Sequence, residues 1–576
     1  MPRSNLYQKS GATFAFNPWD IIALVIILCL FVLLGWGATQ MSKPFDVGQQ
    51  IPISLNPMEL PFYALQSISR ILIALFISLV FTFIVGTLAA RNKHAERILI
   101  PAIDILQSVP VLGYLSITIT AFIALFPGSL LGPTFCAIFV IFTAQVWNMT
   151  LGFYQSLRII PADLMEVARM FNLTPWQRFW RIEVPFAMPN LLWNMMMSMS
   201  QSWVFLMYSE AISVANQNIR LPGIGSYIAL AIQNANLRAI IYAVIAMFVV
   251  IILYDQLMFR PLLKWAEKFN LDPISDRKPT RMWFTSLLQR THVVKYLGEK
   301  VSVWGDAFIN LRWSKRIYQE KLKQESKMGT LLIVLMYVAF FAILIFGGIL
   351  FVKFIASELG VPDIIHAVLL GLASMGRVMA TVIISTIIWV PIGVWVGMRP
   401  RAAQIVQPVV QFLASFPANL IYPFAVLLIV KFHLDANLWV TVLMILGAQW
   451  YILFNVIAGT MNIPKDIYYA ANNFGVHGWL WWKRVIFPGI FPYYLTGAIT
   501  AAGGAWNLTI VAELVTWGSH TIETFGLGAY ITQYTTSGDF QRIALGIGVM
   551  CILVLICNWL IWRPLYNLAE ARFKMS

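Results

Sequence analysis

Charge is scarce in this chain: only 11% of its 576 residues are Asp, Glu, Lys or Arg, against 59% apolar. No water-soluble domain hides that much apolar side chain, so soluble folds are excluded and a polytopic membrane protein is indicated. Cysteine is scarcer still. Cys29, Cys136, Cys551 and Cys557 all fall in long apolar runs, at spacings that suit neither a disulfide framework nor a zinc site, and read as packing residues. The six histidines, His94, His292, His366, His433, His477 and His520, form no ligand spacing, so no metal site is expected. A membrane-embedded enzyme needs His, Asp or Glu gathered near one face, whereas Asp104 and Asp255 stand apart. The motif G-x-x-x-x-G-K-[ST] is missing, so the chain has no phosphate loop of its own. The two-residue alternation of a membrane β-barrel is absent as well.

What is present is a series of apolar runs long enough to cross a bilayer as helices. Twelve are expected, near 19–40, 68–90, 100–126, 130–155, 186–214, 237–258, 329–355, 373–397, 404–431, 437–459, 489–515 and 540–562. Pro110 and Pro417 interrupt the third and ninth. The first run is too long for a cleaved leader and is expected to stay. The formal net charge of +15 is not spread as a nucleic-acid binder would spread it. With a cytoplasmic N-terminus, twelve spans put most Lys and Arg on the cytoplasmic side, so the basic charge orients the chain and favours anionic lipid. The fold class expected is an all-α polytopic membrane protein.

The chain also repeats itself. Arg70 pairs with Arg377 at an offset of 307, and Ser108 to Pro110 with Ser415 to Pro417. From Pro161 onward the offset is 303: Pro161 with Pro464, Asp163 with Asp466, Ala168 with Ala471, Trp176 with Trp479, Pro185 with Pro488, Glu210 with Glu513, and Arg260 with Arg563. Gly223-Ile224-Gly225 matches Gly526-Leu527-Gly528 in the same way. Six spans separate each element from its copy, so the halves share one orientation and form a parallel repeat with a pathway expected between them. The plan is a cytoplasmic tail at 1–18, a first half at 19–262, a basic linker at 263–327 and a second half at 328–576. Residues 260–327 carry 15 Lys or Arg against 7 Asp or Glu, which suits either short amphipathic helices on the lipid surface or a solvated tether.

Each half is interrupted at the same place by a polar stretch, EVARMFNLTPWQRFWRIEVP at 166–185 and YAANNFGVHGWLWWKRVIFP at 469–488. Both are preceded by Ile-Pro-x-Asp. Proline suits a first helical position, and Asp163 or Asp466 suits the positive end of a helix. An apolar stripe follows at Leu164, Val167, Ala168 and Phe171, and at Ile467, Ala470, Ala471 and Phe474. Asn172 and Gly475, which tolerate the left-handed conformation, are expected to end the two helices. Trp176 and Arg181, like Trp479 and Arg484, suit a second short helix at the lipid interface, after which Pro185 and Pro488 open the next span. A short exposed helix across the mouth of each half has no nucleophile, base or metal set. It reads as a docking surface, with a re-entrant linker lying on the membrane as the plainer alternative.

This stretch resembles the EAA loop of ABC importer permeases, E-A-A-x3-G-x9-I-x-L-P. The first copy matches at Glu166, Ala168, Ile182 and Pro185, departing at Val167, Asn172 and Val184. The second matches at Ala470, Ala471, Gly475 and Pro488, with Tyr469 in place of the glutamate. Trp506, Ala512 and Glu513, followed by the Gly-Leu-Gly-Ala-Tyr-Ile run, are similar to the nitrate, taurine and sulfonate branch. The resemblance implies a type I permease-like fold of two fused six-span halves in a bacterial cytoplasmic membrane, both termini cytoplasmic. It implies coupling helices near 161–172 and 464–475 that dock two cytoplasmic ATPase subunits, with an external binding protein as a further partner. ATP and Mg would then be bound by the partner ATPase, and the chain itself would need no cofactor. Asp163, Glu166, Ala168, Asn172, Asp466, Tyr469, Ala471 and Gly475 would meet the ATPase, and Pro161, Pro185, Pro464 and Pro488 would shape the loops. The substrate implied is a small anion such as nitrate, a sulfonate, taurine or bicarbonate; fused ferric-ion permeases are similar in plan. A major-facilitator-like secondary transporter also has two six-span halves, but the stretch from Gly86 to His94 lacks the aspartate and second glycine of that family's loop.

Glu210 and Glu513 lie in equivalent spans, where an unpaired acid costs about 2.5–3.5 kcal/mol. Two roles are open: hydrogen bonds that fix spans within a half, or lining and gating the pathway. Arg70 and Arg377, near span ends, are expected to snorkel to headgroups or to steer an anion inward.

Overall fold

The computed structural model describes residues 51–269, 300, 303–310, 338, 342 and 345–573, apart from 215, 216 and 519. The first expected span, 19–40, lies outside the described residues. Eight helices in each half recur in the same order. In the first half they are α1 (Leu60–Arg91), α2 (Lys93–Ser108), α3 (Leu115–Leu125), α4 (Leu131–Arg158), α5 (Ala162–Met170), α6 (Val184–Glu210), α7 (Ile224–Gln233) and α8 (Leu237–Tyr254). In the second they are α9 (Val361–Gly397), α10 (Pro400–Ser415), α11 (Tyr422–Lys431), α12 (Ala436–Asn462), α13 (Lys465–Asn473), α14 (Phe487–Ala512), α15 (Leu527–Ser537) and α16 (Phe540–Cys557). Among the described residues, seven helices are long and apolar enough to cross a membrane. The chain is an all-α polytopic membrane protein.

Several expected spans are corrected. The third and ninth, 100–126 and 404–431, are not continuous: each splits into two short helices, α2 with α3 and α10 with α11. The break follows from proline. Val109 and Phe416, each preceding a proline, are extended at ψ 124 and ψ 125, since the pyrrolidine ring disfavours the helical region for the residue before it. The fifth and eleventh spans end at Glu210 and Ala512 rather than near 214 and 515. Beyond them the chain forms antiparallel hairpins, β1 (Ala211–Val214) with β2 (Gln217–Arg220) and β3 (Leu514–Trp517) with β4 (His520–Glu523). Of the seventh, only the helix Ile345–Ala356 and two residues before it are described.

Four π-helical turns sit at equivalent places: Phe179–Glu183 and Trp482–Ile486 before α6 and α14, Asp255–Phe259 and Asn558–Trp562 after α8 and α16. Each ends two residues before a proline: Pro185, Pro488, Pro261 and Pro564. A proline inside an α-helix has no N–H to give and its ring meets the carbonyl four residues back. The wider turn opens that contact and lets the helix run on.

The halves share one hydrophobic core. Each half's broken segment packs on the other half's last span, α2 against α16 and α10 against α8, with Phe248 and Phe412 edge to face at 4.8 Å. Trp193 of α6 also stacks on Phe454 of α12 at 4.6 Å.

Candidate functional site

Helices α5 and α13 begin after Pro161 and Pro464, which stand one residue ahead of the first helical position rather than in it, because their ψ of 139 and 135 is extended. Asp163 and Asp466 lie in the first turns. Both helices close in the same way. Asn172 has φ 47 and Gly475 has φ 65, and the next amide turns back: Leu173 N donates to Ala168 O and Val476 N to Ala471 O, at 3.0 and 2.9 Å. That pair of left-handed residue and 6→1 bond is a Schellman end. The stripe reading needs correction, because Val167 and Ala470 are exposed as well as the two phenylalanines. Ala168 and Ala471 face inward, 3% and 7% exposed, but Phe171 and Phe474 project outward at 74% and 84%. Glu166 and Tyr469 are exposed at equivalent positions. Each short helix therefore turns an apolar ring and a variable residue away from the spans, and contiguous apolar exposure of this kind marks an interaction surface.

Past these helices the halves diverge. In the first, Thr174 caps the turn Pro175–Arg178 through a reciprocal box with Gln177. Glu183 is buried, with Arg91 Nη2 at 2.5 Å on one oxygen and Arg178 Nε at 2.9 Å on the other. The second half has Met398, Trp481 and Ile486 at the aligned positions. Among the described residues, a piece of the linker docks on the first half. Trp176 Nε1 donates to Phe308 O at 3.1 Å, Gln177 Nε2 and Arg181 Nη2 donate to Asn310 Oδ1 at 3.2 Å, and the Trp176 and Phe308 rings meet edge to face. Residues 303–310 are packed at this point; most of the linker lies outside the described residues. In the second half the counterpart Trp479 is 71% exposed.

Deeper in, Glu210 and Glu513 each hold a buried knot. Arg70 Nη1 lies 2.6 Å and Ser67 Oγ 2.7 Å from Glu210 Oε1, while Gly225 N donates to Oε2 at 2.8 Å. The copy has Arg377 and Ser374 at 2.7 Å and Gly528 N at 2.7 Å from Glu513. Each carboxylate thus sits at the N-terminus of α7 or α15, where free amides and the helix dipole favour an anion. The repeated glycines follow from crowding: a Cβ on Gly225 would lie 2.5 Å from Met207 O, and one on Gly528 2.3 Å from Thr509 O. Arg70, 1% exposed, does not snorkel to headgroups; its ion pair holds it inside, and Arg377, though slightly open, is committed in the same way. Asp255 is not isolated either, since Arg260 lies 2.8 Å away.

Between the halves lies a cavity of about 280 Å³ whose walls include Tyr208 and Met207 of one half and Tyr422, Thr516 and Thr532 of the other. Beside it a smaller space of about 30 Å³ is bounded by Ser200, Gln201, Phe205, Phe416, Tyr451 and Asn507. Gln201 and Tyr451 line this space from opposite halves, and Asn507 Oδ1 is buried with no partner among the described residues. Among the described residues, no charged side chain lines either space.

The internal repeat is also what the family match finds. Residues 82–260 and again 389–574 match the family described as binding-protein-dependent transport system inner membrane component. The chain belongs to that family. It is an ABC importer permease with two permease domains fused in one chain. Among its relatives, the nitrate import permease protein NrtB of Synechocystis sp. is 26% identical over 262 residues, 43% of this chain and 90% of that protein. The bicarbonate transport system permease protein CmpB of the same organism is 29% identical over 164 residues, 28% of this chain and 57% of that protein. The trimethylamine N-oxide transport system permease protein TmoV of Pelagibacter ubique is 23% identical over 577 aligned positions, 93% of this chain and 74% of that protein.

Sequence reasoning missed three features of this permease: the Arg70–Glu210 pairing, the Arg91–Glu183–Arg178 cluster and the docked linker. Only the first left a signal, because Arg70 and Glu210 are both duplicated in the second half.

Proposed function

We propose that the permease is the membrane subunit of an ATP-driven importer whose helices α5 and α13 each seat one cytoplasmic ATPase subunit. The observation that carries this reading is the duplication of one exposed helix, with the same Schellman end and the same outward phenylalanine, in both halves. Asp163, Glu166, Ala168 and Asn172 form one docking element, and Asp466, Tyr469, Ala471 and Gly475 the other. ATP and Mg2+ are handled by the partner, and an external binding protein delivers the solute. The excess of Lys and Arg in the segments carrying α5 and α13 supports a cytoplasmic side for them, and for both termini, at the inner membrane.

The solute favoured is a small oxyanion such as nitrate, bicarbonate or a sulfonate. Its hydrogen-bond needs are met by neutral donors such as Gln201 and Asn507 without a fixed cation to trap it. A methylated amine oxide or betaine is the second reading, because the TmoV alignment spans nearly the whole chain and Phe205, Phe416 and Tyr451 bring ring faces to the same space.

A native pull-down of the tagged chain in mild detergent tests the reading. Two nucleotide-binding subunits are expected per chain, and both are lost in a double variant, Ala168→Arg with Gly475→Trp. A chain that purifies alone and moves solute in liposomes without ATP would overturn it in favour of a secondary transporter. Uptake of labelled nitrate, bicarbonate or trimethylamine N-oxide by cells carrying the whole system separates the solutes.

A further inference from the structure

We propose that the first half carries a binding site for a phosphate group in the cleft between α5 and the end of α1. The cleft encloses about 860 Å³ and is lined by Arg91, Arg169, Arg178, Glu183, Thr174 and Gln177 among others. Three arginines and one glutamate line it, leaving two positive charges in excess. Both oxygens of Glu183 are already taken, one by Arg91 and one by Arg178. Glu183 therefore acts as a spacer that holds the two forks side by side, and most of their N–H donors remain unused: Arg91 makes one further long contact, 3.5 Å to Pro175 O. The Arg169 side chain forms no ion pair or hydrogen bond among the described residues; only its backbone carbonyl is engaged, by Asn172 N. Convergent, partly sheltered guanidinium forks with spare donors match the oxygens of a phosphate, which takes bidentate contacts from each.

The site is confined to one half. At the aligned positions the second half has Met398, Asn472, Trp481 and Ile486, none of them charged. Repetition of the fold alone thus does not account for the cluster. Its place is mechanical as well: Arg91 ends a membrane span, Arg169 lies on the docking helix, and Arg178 lies on the turn that leads into α6. A phosphate bound by all three would tie the docking helix to the span. The phosphate of an anionic lipid headgroup and soluble phosphate share this chemistry, and basic pockets at the cytoplasmic ends of spans are suited to the former.

The full chain purified in mild detergent provides the test. Native mass spectrometry is run with phosphatidylglycerol against phosphatidylcholine, and thermal shift with inorganic phosphate against chloride at matched ionic strength. Retention of phosphatidylglycerol, or stabilisation by phosphate, is expected in the parent chain. It should fall about tenfold or more in Arg169→Ala, the loss of one charge-assisted contact. The Arg169 side chain is exposed and makes no ion pair or hydrogen bond among the described residues, so this variant is expected to keep its structure; Arg178→Gln gives a second, independent reading. Phosphatidylglycerol binding alone identifies the lipid, and phosphate binding alone the soluble ion. Equal binding by Arg169→Ala and the parent, or no preference for either probe, overturns the site. Neither readout depends on an ATPase or on transport.

Discussion

A buried ion pair is held together as much by the penalty for breaking it as by its own attraction. Removing one partner strands a charge away from water and costs about 3–5 kcal/mol. Glu210→Gln leaves Arg70 uncompensated at 1% exposure, so it is expected to lower the unfolding temperature in detergent sharply, with Arg70→Met doing the same. The double variant should lose less than the sum, because the two changes remove one interaction. Glu513→Gln is expected to be milder: Arg377 is 11% exposed and already reaches Asn437 Oδ1 at 2.9 Å. Parallel thermal melts of the four variants check the ranking. Equal losses in the two halves would contradict it. From the sequence both glutamates were visible as a repeated pair, but their partners were not. Arg70 lies 140 residues from Glu210, and nothing local says that two side chains that far apart meet.

The two docking helices end alike through residues of different type, and this difference can be put to a test at the scale of one element. Gly475 has φ 65 and a Cβ there would meet nothing within 4 Å, so any cost of Gly475→Val is conformational rather than steric. That cost is about 1–2 kcal/mol for a side chain forced into the left-handed region. Asn172→Gly should be neutral or slightly stabilising at φ 47. Hydrogen exchange of the amides over 465–476 is expected to quicken in Gly475→Val, and over 162–173 to hold or slow in Asn172→Gly; faster exchange in the latter would show that the asparagine side chain matters. The ends of these helices were legible because Asn and Gly carry a conformational meaning of their own. The broken spans were legible only as interruptions at Pro110 and Pro417. The hairpins after Glu210 and Ala512 were not legible at all. Their apolar residues continue the run of the span before them, and the decisive contact is long-range: Glu210 O and Glu513 O take the amides of Leu221 and Thr524.

At the scale of the molecule, duplication gives two docking regions but the linker makes them unequal. Phe308 and Asn310 meet Trp176, Gln177 and Arg181, while Trp479 at the matching place in the second half stays exposed. An aromatic edge-to-face contact and a few hydrogen bonds at an exposed site amount to about 1–2 kcal/mol. That is enough to bias one docking region by about tenfold without deciding whether the halves fold. The double variant Phe308→Ala with Asn310→Ala is therefore expected to leave melting unchanged and to weaken the seat beside α5 alone. Counting ATPase subunits by native mass across a dilution series reads this directly. The parent should hold two copies where the variant holds one, and Trp479→Ala, which removes no linker contact among the described residues, should still hold two. A variant that loses both copies together would mean the halves act as one unit through the shared core. One that loses neither would mean the linker rides on the first half without bearing on its docking helix.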